Sequence, residues 1–407
     1  MALRALLHPA LIAMGLHVAG VRAGRALFGH RRVEGSAEDI LRAGLEACWS
    51  GDYLTASPGT YRQFWTRDTG FAAPALVRLG EPWPERLLPS LAWALGVWRD
   101  RRSHVTTTIN PLFRSPVDIF DYGVDSLPLL LASLRSLTRS ADPAIGTRAR
   151  ALAREHADWI ASEVTWFIDR VVDPSTGLVR ADRTFSAHRD TFKNGSTAYA
   201  NTMVALLART VAETGWGPEL LSPFFNDASG RADWSRLLRR HFWTGDRFRD
   251  RLGTDETSGE ANVWPFFAGL IEDRSMQVMA LETLRREGYA TPYPLKFEVE
   301  HRTAGELLVF RLWSPDYQTT TSWTSLGSIY LSLLREVDLV GASADLERMR
   351  RLVKRDGTFW EVLDARGRPW RSASRLSVSD TSMLWGALLL ATLEATRHPT
   401  GSPLRVG

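Results

Sequence analysis

The sequence predicts an all-α protein built as an (α/α)6 toroid, an inner and an outer ring of helices with a short β-hairpin among its loops. Three observations point there. Apolar residues recur at i, i+3, i+4 and i+7 along about twelve segments spread evenly over the chain. Some segments are apolar nearly all round and others carry a charged stripe, which separates helices buried on every side from helices with one wet face. No Gly-rich βα turn, βαβ rhythm or long strand series competes with this pattern.

In order, the period predicts helices over 37–49, 69–79, 87–98, 127–137, 147–166, 197–213, 234–241, 262–270, 274–287, 321–336, 344–353 and 379–395. The segments at 126–134 and 379–391 are of the fully apolar kind, whereas 147–166 carries a charged stripe. The 407 residues exceed the ~250–300 at which one compact core usually stops growing. A toroid accommodates that length without a second domain, and no long linker marks one. Residues 1–30 are expected to form an N-terminal helical extension and 31–400 a single toroid domain.

Hydrophobic residues make up 44% and charged residues 24%, which excludes wholesale disorder. Fifty Lys and Arg stand against 46 Asp and Glu, a net charge of +4. Nucleic acid is not expected as a partner, because a phosphate footprint needs basic residues gathered on one face. The runs Arg99–Arg102 and Arg348–Arg351 are short and read as solvated helix faces. One cysteine, Cys48, excludes an internal disulfide and a Cys-based zinc site. Sixteen Trp are a surplus for this length, and indole faces suit both a core and the apolar faces of sugars.

The run Ala5–Val21 after Arg4 has the hydrophobicity of a signal-peptide core, but it holds His8, Pro9 and His17 and lacks a clear small-residue cleavage site. It is also too short and interrupted for a span of ~20 apolar residues. It reads as a packed helix, with a targeting or membrane-associated segment as the lesser alternative. The chain is accordingly expected in the cytoplasm, with secretion or membrane association second.

In such a toroid the loops before the inner helices surround a central pit, so chemistry is expected from loop residues far apart in sequence. Four segments place polar and aromatic residues just before apolar helices. In Tyr61–Phe71, Asp68 reads either as a helix cap or, with Arg67 and a stacking Trp65, as a grip for sugar hydroxyls. In Asp118–Pro128, Asp125 or Ser126 can cap a helix whose first turn holds Pro128. Yet three carboxylates (Asp118, Asp121, Asp125) beside Tyr122 exceed what a cap requires, and a carboxyl facing a partly apolar pit can act as a general acid. In Asp356–Trp370, the turn Asp364–Gly367 predicts a hairpin. There Glu361 is either a surface residue paired with Arg366 or Arg368, or a site residue between Trp360 and Trp370. In Trp313–Trp323, Gln318 and a row of hydroxyls lie between two Trp. Two carboxyls lining one pit, with aromatic and Arg/Asp groups around them, form the constellation that glycoside hydrolysis needs.

These residues carry a resemblance. Trp65-Thr-Arg67-Asp68-Thr-Gly-Phe resembles the Trp-Thr-Arg-Asp-Ser-Gly-Leu signature of glucoamylases, (α/α)6 six-hairpin glycosidases in which the Arg and Asp hold the terminal glucose. The segment from Glu361 through Asp364, Gly367, Pro369, Ser372 and Ala373 to Leu376 and Ser379 is similar to the block that carries that family's catalytic base, with the Glu-to-Leu spacing kept (376 − 361 = 15). The resemblance implies Glu361 as the base. The family's Trp-Glu-Glu acid element is absent, and its block has a Trp where Val378 stands here. Val124-Asp125-Ser126 is instead similar to the Val-Asp-Ser of alkaline/neutral invertases, a related toroid family whose Asp is the acid. That similarity implies Asp125 as the general acid, with Asp121 in reserve.

The implied activity is an inverting, exo-acting hydrolysis of an α-glucoside or related oligosaccharide, by acid–base chemistry without metal or cofactor. Arg67 and Asp68 would hold the terminal ring, and Trp65, Trp264, Trp313, Trp323 and Trp360 are the candidate walls. Asp121, Tyr122 and Gln318 are further candidate contacts. A sucrose-cleaving invertase and a phosphorylase are the alternatives on the same fold, and a non-catalytic sugar-binding or scaffold protein is the alternative of another class.

Overall fold

The computed structural model describes residues 9–119, 121–218, 222–302, 305–308, 311, 314, 316–374, 377–397 and 403–406. In chain order the elements begin with α1 (Pro9–Phe28), α2 (Ala37–Ala47), β1 (Phe64–Trp65), α3 (Thr66–Leu79), α4 (Trp83–Asp100), β2 (Thr108–Asn110) and β3 (Ser115–Val117). Then come α5 (Ser126–Thr138), α6 (Pro143–Glu155), α7 (Ala157–Val171), α8 (Ala198–Thr214), α9 (Ser222–Phe225), α10 (Arg236–Phe242), α11 (Gly259–Phe267) and α12 (Arg274–Arg286). The last are β4 (Ser322–Trp323), α13 (Thr324–Val337), α14 (Leu339–Asp356), β5 (Val362–Leu363) and α15 (Gly386–Arg397).

The inner ring is α3, α5, α8, α11, α13 and α15, each packed on the next, with α15 closing on α3. Helices α2, α4, α6, α10, α12 and α14 pack outside it. The expected two kinds of helix sort as their composition requires. All nine residues of α11 are buried, and α5 is buried along nearly its whole length. Outer α14 hides only one stripe, with Leu346, Met349, Leu352 and Val353 on it. The chain is an (α/α)6 toroid.

Inner helices come this close because small residues stand at their crossings. A Cβ on Gly70 of α3 would lie 2.5 Å from Leu129 Cβ of α5; where α13 meets the loop before β4, one on Gly327 would lie 2.2 Å from the Pro294 carbonyl oxygen. Each inner helix is entered through a loop at the same end of the ring, so their N-termini, with the partial positive charge of their dipoles, gather around one pit.

Two expected helices differ. The segment 147–166 lies in two helices that meet at His156, whose backbone leaves helical geometry. The first starts early, at Pro143, because Asp142 accepts from Ala144 N–H. The helix expected from 379 starts only at Gly386, since Ser379 and Asp380 are drawn into the hairpin: Asp380 C=O accepts from Glu361 N–H, and Trp360 pairs with Thr381.

The short strands brace the rim. β1, β2 and β3 form an antiparallel sheet with Phe64 opposite Ile109 and Thr108 opposite Val117. β4 pairs antiparallel with β5, Trp323 opposite Val362. The expected hairpin is present: Asp364 N–H donates to Arg368 C=O, Leu363 pairs with Pro369, and Gly367 takes the positive φ of 69° that its turn requires. Helix α1 lies outside both rings, against β3. Among the described residues, no helix is long and apolar enough to cross a membrane.

Candidate active site

Arg67 and Asp68 occupy the first turn of α3, directly after β1. Arg67 reaches across the pit to Asp125 at the start of α5: its Nε donates to Asp125 Oδ2 at 2.6 Å and its Nη2 to Oδ1 at 3.2 Å. Tyr199, in the first turn of α8, adds a hydroxyl donated to Asp125 Oδ2 at 2.8 Å. The third arm of Arg67 donates to Asp190 Oδ1 at 2.7 Å. Asp125 makes no capping bond and is 0% exposed, so its carboxylate is spent on Arg67 and Tyr199 rather than on its own helix.

Asp68 is also buried, at 8% exposure, but among the described residues no side chain donates to it. Burial pushes its carboxyl up to about 8; Arg67 pulls the other way, while Asp190 and Glu361 add to the rise.

Glu361, in the loop before α15, is 2% exposed. Tyr317 OH donates to its Oε1 at 2.7 Å and Asp380 N–H to its Oε2 at 3.0 Å. Arg22 Nη2, from α1, lies 3.7 Å from Oε2. Burial raises the carboxyl, and Arg22 opposes the rise. The surface-residue reading of Glu361 is therefore corrected: Asp364, not Glu361, pairs with Arg368. Aromatic rings enclose this side, with Trp370 4.8 Å and Trp323 5.1 Å from Tyr317, and Trp65 5.5 Å from Tyr61.

Beneath the pit, Arg189 is fully buried among Asp250, Glu260 and Glu298. Burial pushes Glu260 up to about 8 and His188 down to about 3. Trp264, Phe71, Tyr199 and Phe297 surround His188 and close the floor. Among the described residues, no group of three or more His, Cys, Asp or Glu is arranged to hold a metal ion.

The structure buries Arg67, Asp68, Asp125, Glu361, Trp65 and Trp323 at the entrances of inner helices and turns several other candidates away. Trp360 points opposite to Glu361, as neighbours in an extended run must; its Nε1 donates to Asp356 Oδ2 at 2.9 Å and its ring meets His30. Trp264 is wholly buried in the floor. Gln318 is consumed in bracing, accepting from Thr191 N–H at 2.9 Å and Oγ1 at 2.8 Å. Asp121 faces outward to Thr184 and Arg170, and Tyr122 packs on Trp166 and Phe167 of α7. Trp313, and Leu376 of the hairpin block, lie outside the described residues. Sequence reasoning missed Asp190, Tyr199, Tyr61, Tyr317, Trp370, Asp380 and Arg22. Tyr61, Tyr317 and Trp370 sit inside segments already singled out, whereas Asp190 and Arg22 carry no local signal.

No protein-family model matches the sequence, and no curated protein matches it. The likeness lies in the fold. A GH63 mannosylglycerate hydrolase from Thermus thermophilus, in complex with Tris and D-glycerate, superposes with a TM-score of 0.59 at 13% identity, over 88% of this chain and 100% of that one. A rhamnosidase from Klebsiella oxytoca with rhamnose bound gives 0.60 at 14% identity, over 89% of this chain and 63% of that one. A glycosidase variant in complex with glucose gives 0.59 at 16% identity, over 88% and 96%.

Proposed function

We propose that the protein is a glycoside hydrolase, inverting and exo-acting, on an α-glucoside or related small glycoside. The observation that carries this is Glu361, a buried carboxylate set by Tyr317 OH and Asp380 N–H beside aromatic rings and within electrostatic reach of Asp68, which adjoins the Arg67–Asp125 fork. Sugar-acting proteins among the structural neighbours support it.

In this reading Glu361 takes a proton from a water that attacks the anomeric carbon, while a carboxylic acid on the far side protonates the leaving oxygen. Asp68, beside Arg67 at the entrance of α3 and raised to about 8 by burial, is a carboxyl with a proton to give near neutral pH. Asp125, with no accessible surface and both oxygens held, orients Arg67, whose guanidinium grips ring hydroxyls. A second reading makes Asp125 the donor; the Val124-Asp125-Ser126 motif favours it, and it requires Arg67 to release one oxygen when sugar binds.

The test is a screen of α-linked di- and oligosaccharides, with and without phosphate, following the released anomer by NMR. Initial release of the β-anomer as free sugar is expected. Retention of configuration, sugar phosphate, or no turnover on any glycoside would overturn the proposal. Asp68→Asn and Asp125→Asn, assayed on aryl glycosides, separate the two donors: an activated leaving group restores rate only to the variant that has lost the acid.

A further inference from the structure

Helix α1 has no part in the chemistry above, yet its inward face is seated on the residues that perform it. Arg22 Nη2 donates to Tyr61 OH at 2.6 Å and Tyr317 OH at 3.0 Å, Nη1 donates to Ser377 Oγ at 3.3 Å, and the guanidinium lies over both tyrosine rings. It stands against Glu361 Oε2, on the carboxylate a catalytic water needs, and it covers ring faces a sugar would use. One turn on, Arg25 pairs with the buried Asp380 and donates to Ser379 C=O at 2.8 Å. One to two turns back, His17 meets Gly59 C=O at 3.1 Å and Met14 packs on the cluster of Ala56, Trp65 and Ile119.

We propose that α1 is an autoinhibitory plug: docked, it holds a guanidinium in place of sugar and water, and the pit works only when the helix lifts away. This rests on the glycosidase reading. The packing of α1 suits release. Gly15, Gly20 and Gly24 would each meet nothing within 4 Å if given a Cβ, unlike the interlocked glycines of the inner ring. Its outward face leaves Leu16 71% and Phe28 89% exposed. Among the described residues, the helix is held by these polar contacts, by Met14 on the rim cluster and by Ala26 against the main core, while the ring beneath has its own core.

Two full-length variants test this, Arg22→Ala and Met14→Asp, the second remote from Glu361. Each is measured by hydrogen exchange of the α1 amides and by kcat/KM on aryl glycosides, with and without Glu361→Gln. If the docked state dominates, both variants exchange faster across α1 and raise kcat/KM by about tenfold or more, since apparent affinity scales with the open fraction. Glu361→Gln abolishes that activity in either background. A variant whose α1 exchanges faster while kcat/KM is unchanged or falls overturns the plug and leaves the glycosidase intact. If no chain turns over any glycoside, the glycosidase reading fails instead. The plug is then judged on exchange of the loops at 57–68 and 359–380, and equal protection in parent and variants overturns it.

Discussion

Arg67 is one cation serving two acids, the buried Asp125 and the half-buried Asp190. Removing one member of such a set leaves the others charged and unpaired. Arg67→Ala is therefore expected to lower unfolding free energy by about 3–5 kcal/mol in urea titrations, with Arg67→Lys recovering only part because an ammonium lacks the fork. Glu361 behaves differently. Its glutamine variant keeps the size and an acceptor for Tyr317, while its amide nitrogen replaces the oxygen that accepts from Asp380 N–H. Glu361→Gln should cut kcat by about a hundredfold or more, within the range of general-base variants, and lower stability by about 1–3 kcal/mol through the unpaired Asp380 N–H. At this scale the sequence identified Arg67, Asp68, Asp125 and Glu361 as candidates, because each lies in a short motif at a helix entrance. It left Tyr199 and Asp190 unseen, because a lone tyrosine in an apolar helix and an aspartate in a polar loop look like any others.

Helices of the two rings respond to the same change in opposite ways. Gly70→Ala puts a Cβ 2.5 Å from Leu129 and forces α3 away from α5, for which a loss of about 1–3 kcal/mol is expected. Gly96 lies in outer α4 with nothing within 4 Å of an added Cβ, so Gly96→Ala should raise stability by about 0.5–1 kcal/mol through helix propensity. Differential scanning calorimetry of the two variants checks the ring assignment; a destabilised Gly96→Ala or an unaffected Gly70→Ala would contradict it. Most helices were legible in the apolar period. The two that differ do so for identifiable reasons: the Asp142 cap and Pro143 start a helix ahead of the apolar period, and the apolar run after Ser379 begins in a strand-like stretch drawn into the hairpin by Glu361 and Trp360.

Across the whole molecule the pit stores protons. Asp68 and Glu260, both raised to about 8, hold protons in the folded state that the unfolded chain releases near its ordinary carboxyl values. Their stabilisation is complete at low pH and is lost as pH climbs to about 8. His188, lowered to about 3 from an ordinary 6.5, has the opposite sign and costs stability as pH falls below 6.5. Asp118, raised to about 6 by burial, adds to the loss up to that pH, so below 6.5 the acids outweigh the one histidine, and above 6.5 the histidine drops out. The melting temperature is expected to fall from pH 5 to 8, and Asp68→Asn should flatten the slope. A melting temperature rising over that range would show that these carboxyls are ionised in the folded protein.

By itself the amino-acid order determined the ring: helical periods, their wet or dry faces and the motifs at inner-helix entrances are local properties, set within a few turns of chain. Only the tertiary structure decided the partnerships. Arg67 meets Asp190 across 123 positions, and Arg22 meets Ser377 across 355. Six loops converge on one point from separate hairpins, so which charges face each other depends on ring closure. No periodicity in the chain records that geometry.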